Sequence, residues 1–106
     1  MVKISELEKY DAADVLETPE DRASYLSAAL EDGNPVIIRK ALQAVARSIG
    51  MKAVAEAAEV SRESLYRSLG EKGNPEFSTV LKVMKAMGIG LAAIPISAEQ
   101  APSEAA

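Results

Sequence analysis

Four side chains at helical spacing are the part of this sequence best equipped for chemistry: Arg62, Glu63, Tyr66 and Arg67. Leu65 and Leu69 stand one turn apart among them, so with those two turned inward the four polar residues share the outer face near the helix start. The chemistry open to them is recognition rather than bond breaking. A guanidinium fork pairs with the two acceptors of guanine, Glu63 accepts from a cytosine amino group, and Tyr66 reaches a phosphate or a thymine methyl. Lys52, Ser61, Ser64 and Lys72 flank the same stretch and are expected to hold phosphates. The same residue types also make an ordinary solvated helix face, so the surrounding elements must decide.

Composition removes most alternatives. The 106 residues contain no Cys and no His, which excludes disulfides, thiol nucleophiles, zinc sites of the usual type and a side chain that titrates near neutrality. No Asp/Glu pair stands in a recognisable catalytic setting, so the expectation is a protein that is not an enzyme, with no cofactor and no metal. Met1 to Tyr10 already carry four charges, and the longest uncharged run, Ala86 to Ala98, is broken by Gly and Pro. A soluble, cytoplasmic chain without membrane contact is expected. Its length allows one domain, and with 48% apolar residues but one Phe, three Tyr and no Trp, the core must be aliphatic. Such filling suits packed helices.

Strong punctuation divides those helices. Asp11 caps a short turn through Leu16; Thr18-Pro19 opens a helix that runs to about Glu31, and Gly33 ends it. Asn34-Pro35 opens the next, with Ile38, Ala41, Leu42, Val45 and Ile49 on the apolar face and Arg39, Lys40, Gln43 and Arg47 opposite, up to Gly50. Short helices follow over Met51 to Ala58 and from the cap Ser61 to Gly70. After Pro75 a last helix carries Phe77, Val80, Leu81, Met84 and Met87 as its apolar stripe and ends at Gly88. Leu91 to Ile96, with Pro95, reads as a short edge strand or extended arm.

The expected fold class is therefore all-α: a five-helix domain with an acidic N-terminal helical segment and a short C-terminal β-strand or arm. Three regions follow: an acidic arm and helix over 1–34, the DNA-binding body with its strand over 35–96, and a disordered Ala/Ser/Glu/Pro tail over 97–106. The net charge of −4 is unevenly spread. Residues 1–34 hold three basic and nine acidic side chains, whereas residues 35–90 hold nine basic and five acidic. Two surfaces for two kinds of partner are implied.

Two short helices joined by a tight turn are the geometry of a helix-turn-helix, whose second helix enters the major groove while the first braces it. Counting from Met51, Ala55 falls where the helices cross closest, Val60 in the turn core, and Leu65 beneath the second helix. Two positions depart from the general pattern. Glu59 stands where Gly is usual, so the backbone must avoid a positive φ or bear strain, and Met51 replaces a polar residue that often touches DNA.

The stretches YDAADVLETPEDRASYLSAALEDGNP, Tyr10 to Pro35, and VSRESLYRSLGEKGNPEFSTVLKVMKAMGIGL, Val60 to Leu91, resemble the antidote (antitoxin) proteins of HigA-like addiction modules, within the Cro/repressor-type helix-turn-helix group. A generic repressor would match only the second stretch. The resemblance spans roughly Asp11 to Ile94. It implies a dimeric DNA-binding antidote that neutralises a RelE/ParE-like ribonuclease toxin encoded beside it and represses their shared promoter.

On that reading the acidic front masks a basic toxin, with Asp11, Asp14, Leu16, Glu20 and Tyr25 as candidate contacts; the same residues could instead be solubilising surface and packing against the helix from Pro35. Ile89, Leu91, Ile94 and Ile96 would pair with their own copy across a two-fold axis, or merely cover one subunit's core. A homodimer suits DNA binding, because two recognition helices one DNA turn apart read a palindrome. Two rival readings stay open: a stand-alone phage-type repressor, and a helical adaptor that binds only protein.

Overall fold

The computed structural model describes residues 11–97. The expected basic and acidic side chains of residues 1–10 and the expected disordered tail beyond Ser97 lie outside the described residues. Among the described residues six helices and no strand form a globule: α1 (Ala12–Val15), α2 (Pro19–Asp32), α3 (Pro35–Ile49), α4 (Met51–Ala58), α5 (Arg62–Leu69) and α6 (Phe77–Ala86). The sixth, beyond the five expected, is α1, where a turn was anticipated; Asp11 caps it by accepting from the Ala13 amide at 3.0 Å.

Several boundaries have a local cause. The Thr18 hydroxyl accepts from the Asp21 amide at 3.0 Å, and Asn34 Oδ1 accepts from Val36 N at 2.9 Å; in both helices Pro then occupies the first turn, where its missing donor costs nothing. Gly33, at φ +81°, closes α2 in the left-handed conformation and donates to the Ala29 carbonyl.

One aliphatic cluster joins all the elements. Leu26 and Ala29 of α2 meet Leu42, Val45 and Ala46 of α3, and the cluster continues through Val54 and Ala55, Leu65 and Leu69, to Val83 and Met84. The N-terminal segment is thus packed into the same core as the body. Arg22 fastens it further, donating from Nε to the Ser48 hydroxyl at 3.0 Å. Among the described residues no helix is long and apolar enough to cross a membrane.

Three expectations are corrected. No strand forms over Leu91–Ile96 among the described residues: within one chain this segment has no neighbouring strand to complete a ladder, and Pro95 lacks a donor. Arg39, expected on the outer face of α3, is buried at 8% exposure; it lies three residues before Leu42 and seven before Ala46, on the apolar stripe itself. On α6 the packed side is Val83, Met84 and Met87, while Phe77 and Leu81 are exposed. Rotation of α6 toward α4 selects one edge of a broad apolar stripe and leaves the other uncovered.

Candidate nucleic-acid interface

The geometry at α4 and α5 starts from Ala55 and Ala58, small enough to let the two helices approach, and from Leu65 and Leu69, both 1% exposed, which anchor α5 from beneath. The link is three residues long. Glu59 adopts φ +58° and ψ +40°, the left-handed conformation, and its amide donates to the Glu56 carbonyl at 3.2 Å; the Val60 amide closes the turn on Ala55 O at 3.0 Å. A glutamate therefore bears the strain that glycine would avoid. Ser61 begins α5: its hydroxyl accepts from Ser64 N at 3.0 Å and donates to Ser64 Oγ at 2.8 Å.

With the leucines buried, Arg62, Glu63, Tyr66 and Arg67 are all exposed on the outer face of α5. Spacings of three and four residues bring the four together. Arg67 Nη2 reaches back to Ser64 Oγ at 3.4 Å, and among the described residues neither Arg62 nor Arg67 forms an ion pair. Their guanidinium charge is left for an external acceptor. Lys52 on α4 and Lys72 in the loop after α5 are exposed, as phosphate contacts would require; Ser61 and Ser64 are engaged in capping, with Ser64 half-buried.

The C-terminal end of α5 is held by residues whose part was not legible from their types. Arg39 Nη1 donates to the Leu69 carbonyl at 3.1 Å. Gly73 folds back so closely that a Cβ there would collide with the Ser68 and Arg67 carbonyl oxygens. The stripe position of Arg39 was the available signal; nothing local marked Gly73.

The acidic front is differently arranged. Asp14 and Glu20 are exposed, Tyr25 is half-buried against the core, and Leu16 is sealed at 1% exposure, supporting that surface from below. Asp11 is engaged by Arg47 through two bonds, Nη1 to Oδ2 at 2.8 Å and Nη2 to Oδ1 at 2.9 Å. Burial pushes the Tyr25 phenol above its ordinary pKa; the nearby Arg47 opposes that rise and Asp11 adds to it. Of the C-terminal residues, Ile89 packs on the core while Leu91, Ile94 and Ile96 are exposed. Among the described residues no group of His, Cys, Asp or Glu could hold a metal ion.

The chain is 40% identical over 84 residues to a Haemophilus influenzae protein described as "Uncharacterized protein", covering 79% of this chain and 87% of that one. No solved structure matches it. A family model described as "Probable addiction module antidote protein" matches residues 6–95, a span that takes in the acidic front, the α4–α5 pair and nearly all of the exposed C-terminal segment. With its match running through every described helix, the chain belongs to the family of probable addiction module antidote proteins.

Proposed function

We propose that this chain is the antitoxin of a two-gene module, a non-enzymatic cytoplasmic protein that neutralises a RelE/ParE-like toxin and represses its own operon through a repressor-type helix-turn-helix. The observation that carries the DNA part is the outer face of α5, where Arg62, Tyr66 and Arg67 stand exposed over buried Leu65 and Leu69 with no ion pair on either arginine among the described residues. Inserted into a major groove, this face reads bases through Arg62, Glu63, Tyr66 and Arg67, while Lys52 and Lys72 hold phosphates and the Ser64 hydroxyl adds a donor at the helix start, with Ser61, whose own proton goes to Ser64, beside it. Two copies, joined through the segment from Ile89 to Ile96, present two such helices to a palindromic operator.

Family membership supports the toxin part. Asp14 and Glu20 offer charge to a cationic partner, with Asp11 and Tyr25 beside them and Leu16 stiffening the surface. The test is a mobility-shift titration with operator DNA at fixed salt using the double variant Arg62→Ala, Arg67→Ala. Loss of two base-reading arginines is expected to weaken operator binding by at least about 30-fold, at roughly 1–3 kcal/mol each. Neutralisation of the neighbouring toxin should persist. Unchanged operator affinity would remove the contact assignment.

A further inference from the structure

The last four carbonyls of a helix find no amide within the helix to receive, and in α5 these belong to Tyr66, Arg67, Ser68 and Leu69. Leu69 O takes the Arg39 guanidinium at 3.1 Å. Two glycines lie against the other three. A Cβ on Gly70 would stand 2.8 Å from Tyr66 O, and one on Gly73 would stand 2.6 Å from Arg67 O and closer still to Ser68 O. All of these neighbours are backbone atoms, so no change of rotamer could make room for a side chain.

Between the two glycines the chain makes a turn. Gly73 N donates to Gly70 O at 2.8 Å, which makes Gly70 and Gly73 the first and last residues of a β-turn whose tip is Glu71 and Lys72. Lys72 is exposed and, among the described residues, forms no ion pair. Its backbone is held twice, by the bond across the turn and by the seating of Gly73 on the last turn of α5. The lysine is therefore carried by α5 as part of one body.

We propose that Gly73 is a positioning residue for operator binding: its missing side chain lets the turn seat on the carbonyl end of α5, and that seating holds Lys72 at a single phosphate while the helix reads bases. The inference rests on the reading of Lys72 as a phosphate contact and adds what places it. With the start of α5 in the groove, a cation beyond its other end, about 12 Å away along eight residues, lies near the groove's rim, where the phosphates are. A phosphate contact fixes the register of the helix on the duplex, so the lysine must keep one place relative to Arg62 and Arg67. A turn already fixed also avoids the ordering cost that a loose loop would incur on binding.

Operator titrations of the full chain at a series of salt concentrations test this. Each phosphate contact steepens the fall of log affinity with log salt by about 0.9. Lys72→Ala should therefore flatten the slope by about 0.9 per bound copy, and Gly73→Ala should flatten it as much although its lysine is intact. The two together should flatten it no further. A purely structural role for Gly73 would lower affinity by one factor at every salt concentration, through the smaller folded fraction, and leave the slope alone; that result would overturn the positioning role. Additional flattening in the double variant would overturn it too. A parental slope for Lys72→Ala would instead remove the phosphate contact on which the inference rests. The exchange Glu71→Lys with Lys72→Glu leaves both glycines and the net charge in place and does not depend on how Gly73→Ala folds. A fixed turn should make it as flat as Lys72→Ala, whereas a parental slope would show that the lysine finds its phosphate from either place and would overturn the inference.

Discussion

The guanidinium of Arg39 and the carbonyl of Leu69 are thirty residues apart in sequence and 3.1 Å apart in the fold, inside the protein. Leu69 is the last residue of α5, and its carbonyl is one of the terminal acceptors that a helix cannot satisfy by itself. Gly70 leaves in an extended conformation, φ −76° and ψ 176°, so no left-handed cap turns an amide back onto those carbonyls. Arg39 supplies the donor instead, and so fixes the end of the helix whose start bears the DNA-facing residues.

Replacing Arg39 with Met keeps most of the packed stem and deletes the donor. A charged hydrogen bond of this kind contributes about 1.5–3 kcal/mol, and for a domain of this size each kcal/mol moves the melting temperature by about 4–8 °C. A fall of about 6–24 °C in a thermal melt is expected, with Arg39→Lys falling less because one ammonium donor can still reach the carbonyl. A melt within a degree of the parent would show that the bond contributes nothing.

The Asp11–Arg47 pair joins the cap of α1 to the last turn of α3 with two bonds, yet its side chains are 42% and 41% exposed. Exposure screens the attraction, so a double-mutant cycle with Asp11→Ala and Arg47→Ala should return a coupling below about 1 kcal/mol, shrinking further in molar salt. Asp11→Ala alone should cost more than Arg47→Ala, because Asp11 also caps α1. Equal single costs in urea denaturation would contradict that second role.

At Glu59 the prediction runs in the stabilising direction. The left-handed conformation costs a side-chain-bearing residue about 1–2 kcal/mol, while glycine adopts it freely and loses about 0.5–1 kcal/mol through its larger unfolded-state entropy. Glu59→Gly should raise stability by up to about 1 kcal/mol in equilibrium unfolding, with operator affinity preserved since the turn geometry is unchanged.

Tyr25 makes the alkaline limb of stability testable. Its folded pKa is raised, chiefly by burial of the neutral phenol. A group raised in this way contributes its full stability below the unfolded value, near pH 10 for tyrosine, and loses it as pH climbs through the folded value. The parent should therefore lose stability above about pH 10 more steeply than Tyr25→Phe, and parallel pH profiles would dismiss the contribution.

Helix boundaries were legible in the sequence because their causes are local. Thr18-Pro19, Asn34-Pro35 and Ser61 each satisfy amides two or three residues away, and α2 through α5 begin and end within a residue of where those signals place them. The inward turn of Leu65 and Leu69, and with it the exposure of Arg62 and Arg67, followed from spacing alone. Family membership, too, was carried by residues that can be quoted as a string.

Tertiary structure decided the rest. That Arg39 lies inside, that α6 buries Val83 and leaves Phe77 outside, and that Leu91–Ile96 forms no strand among the described residues are all settled by which neighbour occupies each side of an element. Helical periodicity marks an apolar stripe without saying which edge of it will be covered, and a strand needs a second backbone that its own residues cannot supply.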